Sequence, residues 1–354
     1  MTIRLTIDGQ EVEVPTGSTL LDAAASLGCD VPTLCHDPRL DPMGSCRMCL
    51  VEVEGQRRLQ PACAWPAARD AVVHTNTPRV QKHRQMLLSM YLADHTLDAE
   101  GLPAERATGN ELRQHVLTHG SGPSLPDIGT PRAGRDDPNP YIHFDPDSCI
   151  ACARCVRYCD EVEAVSAITL TARGAEVTIG TADNKGLLDT SCELCGGCID
   201  TCPTGAMSEK PALGMLASEE EQIRTTCNFC GVGCQLNLHV RDGQVVRSTS
   251  PPPGTTLNDG NLCVKGRFAT EFIHHEERLQ VPLIRGADGE LHEASWPDAI
   301  RAAANGLMGV RDRHGADALG FISSSRCTME ENYLVQKLSR AAFGTNNCHQ
   351  CAAT

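Results

Sequence analysis

Apolar and polar positions alternate at the beginning of the chain and predict a β-hairpin. The dipeptide Asp8-Gly9 is a turn signal between its two strands. The apolar residues that would share one face of the hairpin are Ile3, Leu5, Ile7, Val12 and Val14. A helix over 19–27, with Ser18 as its cap and Gly28 at its end, and a strand over Leu50–Val53 follow. A hairpin crossed by one helix predicts a small β-grasp fold over residues 1–78.

Helical patterns with clear start and stop signals recur further along the chain. Thr77-Pro78 begins a helix that runs to about Asp94, and residues 118–147, rich in Gly, Pro and Asp, predict a long connecting loop. Short strands are expected over 167–170 and 176–179, and a hairpin over 236–246. Near the end, a helix begins at Ser295, a strand covers Ala318 to Ser323, and a last helix ends before Gly344. This order predicts the start of an α/β domain, with no parallel strand after the last helix.

Two cysteine runs in the middle of the chain share one spacing, C-x2-C-x2-C-x3-C. The first consists of Cys149, Cys152, Cys155 and Cys159, and the second of Cys192, Cys195, Cys198 and Cys202. In two-cluster ferredoxins the fourth cysteine of each run ligates the other cluster. We therefore predict one [4Fe–4S] cluster on Cys149, Cys152, Cys155 and Cys202. A second is predicted on Cys192, Cys195, Cys198 and Cys159. A pair of zinc knuckles is the alternative.

A further cysteine quartet lies inside the predicted β-grasp domain. Its members are Cys35, Cys46, Cys49 and Cys63. The small residues Gly44 and Ser45 stand beside Cys46, where they let backbone N–H groups approach cluster sulfurs. The spacing departs from the plant-type ferredoxin pattern. It resembles the [2Fe–2S] module at the start of the large iron–sulfur subunit of respiratory complex I. A zinc site is again the alternative.

The last quartet consists of Cys227, Cys230, Cys234 and Cys263, and Lys265-Gly266 follows it. This spacing with its terminal Cys-x-Lys-Gly resembles the first domain of molybdopterin oxidoreductases, the superfamily of formate dehydrogenase and nitrate reductase. The resemblance implies a third [4Fe–4S] cluster and places Lys265 between that cluster and a pterin. A solvated surface lysine is the alternative for Lys265. Cys29, Cys327, Cys348 and Cys351 stay outside the four sets.

Composition narrows the classes of protein that these motifs allow. Twenty cysteines without a secretory signal pattern favour metal ligation in a reducing, cytoplasmic compartment. The formal net charge of −14 speaks against nucleic acid as a partner, and no apolar run is long enough to span a membrane. Aromatic residues make up only 3% of the chain, so clusters are expected to substitute for part of the core.

The order of these modules resembles the N-terminal part of the catalytic α subunit of NAD-linked formate dehydrogenases. The predicted fold is α+β and multidomain, with these units: 1–78, [2Fe–2S] ferredoxin-type; 79–118, a degenerate cluster domain; 119–139, a connecting loop; 140–215, two-cluster [4Fe–4S] ferredoxin-type; 220–276, [4Fe–4S]; and 277–354, the start of an α/β molybdopterin oxidoreductase domain. The second unit is degenerate because the family holds another cluster there through one histidine and three cysteines. This chain keeps His95 but has Ala99, Leu102 and Thr108 at the cysteine positions.

The resemblance implies that a bis-molybdopterin guanine dinucleotide cofactor with molybdenum or tungsten oxidises formate to carbon dioxide. The clusters would then pass electrons to flavin- and NAD-binding diaphorase-type subunits. The family's metal-binding cysteine or selenocysteine would follow Thr354, so the chain itself would hold no catalytic residue and be inactive alone. One hypothesis is a selenoprotein whose translation stops at a UGA codon; a shortened or degraded gene is the alternative. The competing functions are a carrier similar to the large complex I subunit, an iron-only hydrogenase and a non-catalytic electron-transfer adaptor.

Overall fold

A computed structural model describes residues 1–94, 109–126, 132, 134, 136–215 and 220–351. The first domain is built on a five-stranded sheet. Its elements are β1 (Thr2–Ile7), β2 (Gln10–Pro15), α1 (Leu20–Ser26), β3 (Leu50–Val53), β4 (Gln60–Pro61) and β5 (Val72–His74). The strand order is β2-β1-β5-β3-β4, in which only β1 and β5 pair in parallel. The alternating apolar side chains of the hairpin are buried under α1, which explains the pattern in the sequence.

The predicted cap of the first helix is off by one residue. Thr19, and not Ser18, is the N-cap, and its hydroxyl accepts from the Asp22 amide at 3.2 Å. The Asp22 carboxylate accepts from the Thr19 amide at 2.8 Å, which completes a capping box. The reciprocal bond decides the position, because the residue three places after Ser18 is Leu21, which has no acceptor.

Two helices cover the next part of the chain. They are α2 (Pro78–Ala93), capped by Thr77 as predicted, and α3 (Glu111–His119). The predicted connecting loop therefore begins after α3. The two helices pack on each other and bury Leu88, Leu112 and Val116 together with Cys35 and Cys46 of the first domain. His95, Ala99, Leu102 and Thr108 lie outside the described residues.

The third unit carries the duplicated cysteine runs. It contains β6 (Ile142–Phe144), α4 (Arg154–Arg157), β7 (Thr169–Thr171), β8 (Thr178–Gly180), α5 (Gly197–Asp200) and β9 (Met207–Glu209). A π-helical turn, Tyr158–Val162, continues α4. The antiparallel pair β6–β9 joins the beginning and end of the unit, and β7–β8 is the predicted β insertion, shifted by one to two residues.

A three-stranded antiparallel sheet follows. Its elements are β10 (Glu221–Thr226), β11 (Gln235–Arg241) and β12 (Gln244–Thr249), with α6 (Val264–Phe268) after them. The hairpin β11–β12 matches the expectation from the sequence. Strand β10 does not show in the sequence because all six of its residues are exposed, so no side of it needs apolar residues.

The last part contains two small two-stranded sheets and two helices. Its elements are β13 (Leu283–Arg285), β14 (Leu291–Glu293), α7 (Trp296–His314), β15 (Phe321–Ser324), α8 (Met329–Lys337) with a π-helical extension (Leu338–Phe343), and β16 (Cys348–Cys351). The prediction that no parallel strand follows the last helix is wrong. β16 pairs in parallel with β15, in the register Phe321 with Cys348. The four residues of β16 carry no alternating apolar pattern, so the sequence does not predict this strand.

Among the described residues, no helix combines the length and the apolar character that crossing a membrane requires.

Candidate iron–sulfur centres

The two duplicated cysteine runs fold into the same pair of turns. Ala151 and Ala153 have positive φ values in the first run, and Leu194 and Gly196 have them at the matching positions of the second. These left-handed residues reverse the chain between successive cysteines, as the turns of a cluster-binding run require. The turn over Cys195–Cys198 also needs Gly197, because a Cβ there would lie only 1.9 Å from Tyr158 Cε1.

The structure brings together the members of each crossed set. One cavity is lined by Cys149, Cys152, Cys155 and Cys202, and another by Cys159, Cys192, Cys195 and Cys198. The first cavity measures about 20 Å³. The second opens into a cleft of about 1120 Å³. Within the described ranges, no three Cys, His, Asp or Glu side chains are arranged as ligands of one metal ion.

Backbone amides point at the sulfurs of both sets. The amide of Ala151 lies 3.4 Å from Cys149 Sγ and that of Leu194 lies 3.4 Å from Cys192 Sγ. The last cysteine of each run accepts a hydrogen bond from an amide further along the chain. The Ala167 amide donates to Cys159 Sγ at 3.2 Å, and the Met207 amide donates to Cys202 Sγ at 3.4 Å. Donors aimed at sulfur stabilise thiolates and clusters, so the backbone of both runs suits an iron–sulfur cube.

Burial opposes ionisation of these thiols while they carry no metal. It raises the pKa of Cys155 and of Cys198 well above the ordinary value, and the negative charges of neighbouring cysteines add to the effect. A bound metal reverses this balance, because a coordinating thiol gives up its proton. The donor set therefore fits clusters that assemble with release of protons.

The set in the first domain is fully buried. Cys35, Cys46, Cys49 and Cys63 are each at most 5% exposed. The amide of Cys46 donates to Cys35 Sγ at 3.5 Å. The thiols form two pairs in which hydrogen bonds from Cys46 and Cys49 lower the pKa of Cys35 and of Cys63 respectively. Ser45 also donates to Cys35 and the Gly44 amide to Cys63, as expected from small residues beside a cluster.

Arg84 on α2 is a buried cation beside this set. Its side chain is buried, and Nε and Nη2 have no hydrogen-bond partner among the described residues. Burial lowers the pKa of Arg84, whereas the negative charge of Cys49 acts in the opposite direction. Because an uncompensated buried charge costs several kcal/mol, about 3–5 when a partner is missing, the site calls for an anion. A [2Fe–2S] cluster on four thiolates is such an anion.

The fourth set lies at the junction of the three-stranded sheet and α6. The Cys227 amide donates to the Cys234 carbonyl at 2.8 Å, and Cys263 is the N-cap of α6. Burial raises the pKa of Cys227, and the charges of Cys263 and Cys230 contribute. Lys265 is half-buried on α6, and its ammonium has no partner among the described residues.

Sequence reasoning missed the residues that join these sites. Arg267 on α6 lies 2.6 Å from Asp200 and 2.5 Å from Glu209 of the third unit. Tyr158 donates to Asn261 at 2.5 Å, and the guanidinium of Arg39 stacks over the Tyr158 ring at 4.8 Å. None of these partners is near in sequence, so no spacing could reveal them. The only signal was a basic residue two places after Lys265.

Four cysteines stand outside the predicted sets. Cys29 is half-buried and packs against the core of the first domain, and Cys327 and Cys348 lie in the last part of the chain. The side chain of Cys351 is outside the description.

Four family profiles match consecutive parts of the chain. Residues 1–78 match the 2Fe-2S iron-sulfur cluster binding domain, and residues 139–208 match the ferredoxin-like domain of NADH-quinone oxidoreductase subunit 3. Residues 220–275 match the molybdopterin oxidoreductase Fe4S4 domain, and residues 278–354 match molybdopterin oxidoreductase. The fold and site define a multidomain protein in which iron–sulfur domains precede molybdopterin oxidoreductase domains.

Curated relatives agree with this class. The α subunit of an NADPH-Fe(3+) oxidoreductase from Geobacter sulfurreducens is 37% identical over 98% of this chain. A subunit of NADH-quinone oxidoreductase from Rhizobium meliloti is 39% identical over the same share. A Staphylococcus haemolyticus protein with the provisional name formate dehydrogenase is 29% identical. The chain spans about 40% of the length of the first two relatives and 39% of the third.

One solved structure extends the comparison to three dimensions. A chain in the crystal structure of an NAD+-reducing [NiFe]-hydrogenase superposes with a TM-score of 0.50 and 28% identity. The superposition covers 59% of this chain and 87% of the other. The chain is therefore similar to a chain of an NAD+-reducing hydrogenase as well as to molybdopterin oxidoreductases.

Proposed function

We propose that this chain relays single electrons through four iron–sulfur clusters, from a pterin-bound metal at one end to a flavin- and NAD-binding partner at the other. One observation carries the proposal: the four cysteine sets follow one another through direct packing contacts, from the first domain to α6. An isolated metal site would stabilise its own domain without facing the next one. A succession of facing sites is what stepwise electron transfer requires.

The first contact joins the set of the first domain to the set around Cys152. Cys35 and Cys46 share a hydrophobic cluster with Ile150 and Cys152. Tyr91 packs against the same cluster, and its hydroxyl donates to the Cys46 carbonyl at 3.4 Å. No further cluster is needed between these two sets. The loss of ligands at Ala99, Leu102 and Thr108 is thus compatible with a working relay.

The next contacts continue the succession. Cys155 of one crossed set is close enough to Cys198 of the other for the charge of Cys198 to raise its pKa, after burial and nearer cysteines. A Cβ on Gly266 of α6 would lie 3.4 Å from Cys227 Sγ. From the same helix, Arg267 reaches the Cys195–Cys198 turn. α6 therefore contacts both the predicted cluster site that contains Cys195 and Cys198 and the one that contains Cys227.

In this proposal the protein itself holds the clusters, orients hydrogen-bond donors toward their sulfurs and shields them from water. The cysteine thiolates hold the clusters, the backbone amides orient toward sulfur, and the apolar side chains around them exclude water. When bound, the clusters supply one-electron chemistry and the pterin cofactor supplies two-electron oxidation of the substrate. Lys265 lies on α6, two residues after Cys263, and we propose that its ammonium faces an anionic pterin or cluster.

Formate is the substrate we propose for the whole protein. Support comes from the order of the modules, which resembles that of NAD-linked formate dehydrogenases, and from the name of one relative. The relatives named for NADPH and NADH, and the NAD+-reducing hydrogenase, support a nicotinamide-linked partner.

Removing a middle site tests the relay. The protein is purified with its partners, mixed with NADH or formate, and followed by freeze-quench EPR. In Cys152→Ala, NADH should reduce only the [2Fe–2S] cluster, and formate only the clusters beyond the break. Cys29→Ala removes a cysteine outside the sets and should behave like the parent. Equally fast reduction of all clusters from both ends in Cys152→Ala would contradict the relay.

A carrier without its own substrate is the second candidate. The 39% identity to a protein named for NADH-quinone oxidoreductase favours it. Metal analysis separates the two, because a formate enzyme contains about one molybdenum or tungsten atom per chain and a carrier contains none. Formate-dependent cluster reduction should accompany the metal. Absence of both would leave the carrier as the function.

A further inference from the structure

The turn between Cys195 and Cys198 is covered by a side chain from another module. Arg267 belongs to α6, four residues after Cys263. A Cβ on Gly196 would lie 2.9 Å from Arg267 Cγ and 3.1 Å from its Nε. The stem and Nε of the arginine therefore lie directly on the peptide of this turn. Glycine is favoured at position 196 for two reasons: a Cβ would come too close to Arg267, and the φ of +78° is a left-handed conformation.

Two of the three guanidinium nitrogens of Arg267 have hydrogen-bond acceptors among the described residues. Nη1 donates to both oxygens of Asp200, at 2.6 and 2.7 Å, and Nη2 donates to Glu209 at 2.5 Å. The side chain is 1% exposed. Nε is buried, and no described residue accepts its proton. An unsatisfied buried donor costs about 1–3 kcal/mol, more when it is charged, so an acceptor belongs beside Nε.

An ion pair that only fastens α6 to the third unit does not explain this geometry. Asp200 and Glu209 use Nη1 and Nη2 and would do so equally well with Nε facing solvent. Instead Nε lies against the turn that presents Cys195 and Cys198. The positive charge of Arg267 already acts on Cys198, where it opposes the effects of burial and of neighbouring cysteines on the pKa. Sulfur is the acceptor chemistry that this turn provides.

We propose that Arg267 is a positioning residue for the cluster on Cys159, Cys192, Cys195 and Cys198. Its Nε–H donates to a sulfur of that cluster, and its charge raises the reduction potential. Hydrogen bonds to sulfur and nearby charge are known determinants of cluster potential. The module of Cys263 thereby sets the potential of the cluster that receives electrons from its own. This inference rests on the cluster assignment in the proposed function.

EPR-monitored redox titration of the full chain with its clusters in place tests the proposal. Cys198→Ser first identifies the signal of this cluster. In Arg267→Met, the ratio of reduced to oxidised cluster at the parent's midpoint should fall about tenfold, which is about 59 mV for a one-electron couple. Arg267→Lys retains a charge but no Nε and should shift the ratio less. Arg301→Met, which removes an exposed arginine paired with Asp298, should leave every midpoint unchanged.

The outcomes are separable. An unchanged midpoint in Arg267→Met with full iron content would overturn the proposal. If Arg267→Met loses the cluster, Asp200→Asn decides, since it keeps the arginine but removes a neighbouring negative charge. That variant should raise the midpoint, and no shift would overturn the proposal. If Cys198→Ser leaves every cluster signal in place, the cluster assignment itself is wrong, and Arg267 is then only an ion pair between modules.

Discussion

Replacing Gly197 with alanine should destabilise the helix that follows Cys195, through one steric contact. The new Cβ would lie 1.9 Å from Tyr158 Cε1 and 2.4 Å from Cζ. Ordinary carbon contacts are about 3.5–4.0 Å, so the ring must retreat by about 1.5 Å. That movement would disrupt the 2.5 Å hydrogen bond from Tyr158 to Asn261.

The magnitude follows from these two effects. Overpacking a dense site costs about 1–3 kcal/mol and the lost hydrogen bond about 1 kcal/mol, which together give about 2–4 kcal/mol. The backbone adds no strain of its own, since Gly197 is not among the residues with positive φ. The loss should appear as faster opening of α5, in which the Thr201 amide donates to the Gly197 carbonyl at 3.0 Å.

Amide hydrogen exchange resolved to the α5 segment measures this loss, because it reports local opening in a multidomain chain. Gly306→Ala is the matched control. Outside its own stretch of helix, no atom of the described residues lies within 4 Å of the new Cβ, so this substitution should stabilise α7 by about 0.5–1 kcal/mol. In a Tyr158→Ala background, Gly197→Ala should cost little, since the clash is gone. An equal cost in both backgrounds would refute the steric argument.

Three further predictions concern the clusters. Cys159→Ser should damage the cluster of Cys192, Cys195 and Cys198 and spare that of Cys149, and EPR showing the reverse would contradict the crossed sets. Iron analysis of the loaded chain should give about 14 atoms, from one [2Fe–2S] and three [4Fe–4S] clusters, and a value near 18 would restore the cluster predicted lost at Ala99. Arg84→Met should lower the [2Fe–2S] midpoint in a redox titration by removing a buried cation, whereas Arg79→Met, at an exposed ion pair with Glu52, should not.

Local features of the fold could be predicted from the sequence because their causes are local. The hairpin follows from alternation, α2 follows from Thr77-Pro78, and the crossed grouping of cysteines follows from their spacing. The errors arose where two neighbouring residues could each be the N-cap of a helix, as at Ser18 and Thr19, or where a strand depends on a pairing partner distant in sequence. β16 exists because β15 pairs with it, and nothing in Cys348–Cys351 predicts a strand by itself.

The charged residues around the clusters could not be predicted for the same reason. From the sequence, Arg84 is one of several basic residues on a helix. Only the structure shows that it is buried and that its Nε and Nη2 have no hydrogen-bond partner among the described residues. Likewise, Arg267 acquires a role through Gly196, Asp200 and Glu209, which are far from it in sequence.

Arginines, more than apolar surfaces, fix the spacing between the modules. Arg157 of the third unit donates to the carbonyls of Cys35 and Asp41 at 2.5 and 2.6 Å. Arg39 of the first domain reaches the Gly260 carbonyl at 3.2 Å, and Arg267 reaches Asp200. Directional, charge-assisted bonds resist sliding in a way that apolar contacts do not. These bonds add direction to the apolar contacts that also join the modules, such as the stacking of Tyr141 on Phe268. A relay of electrons depends on that spacing, because each cluster must stay close to the next.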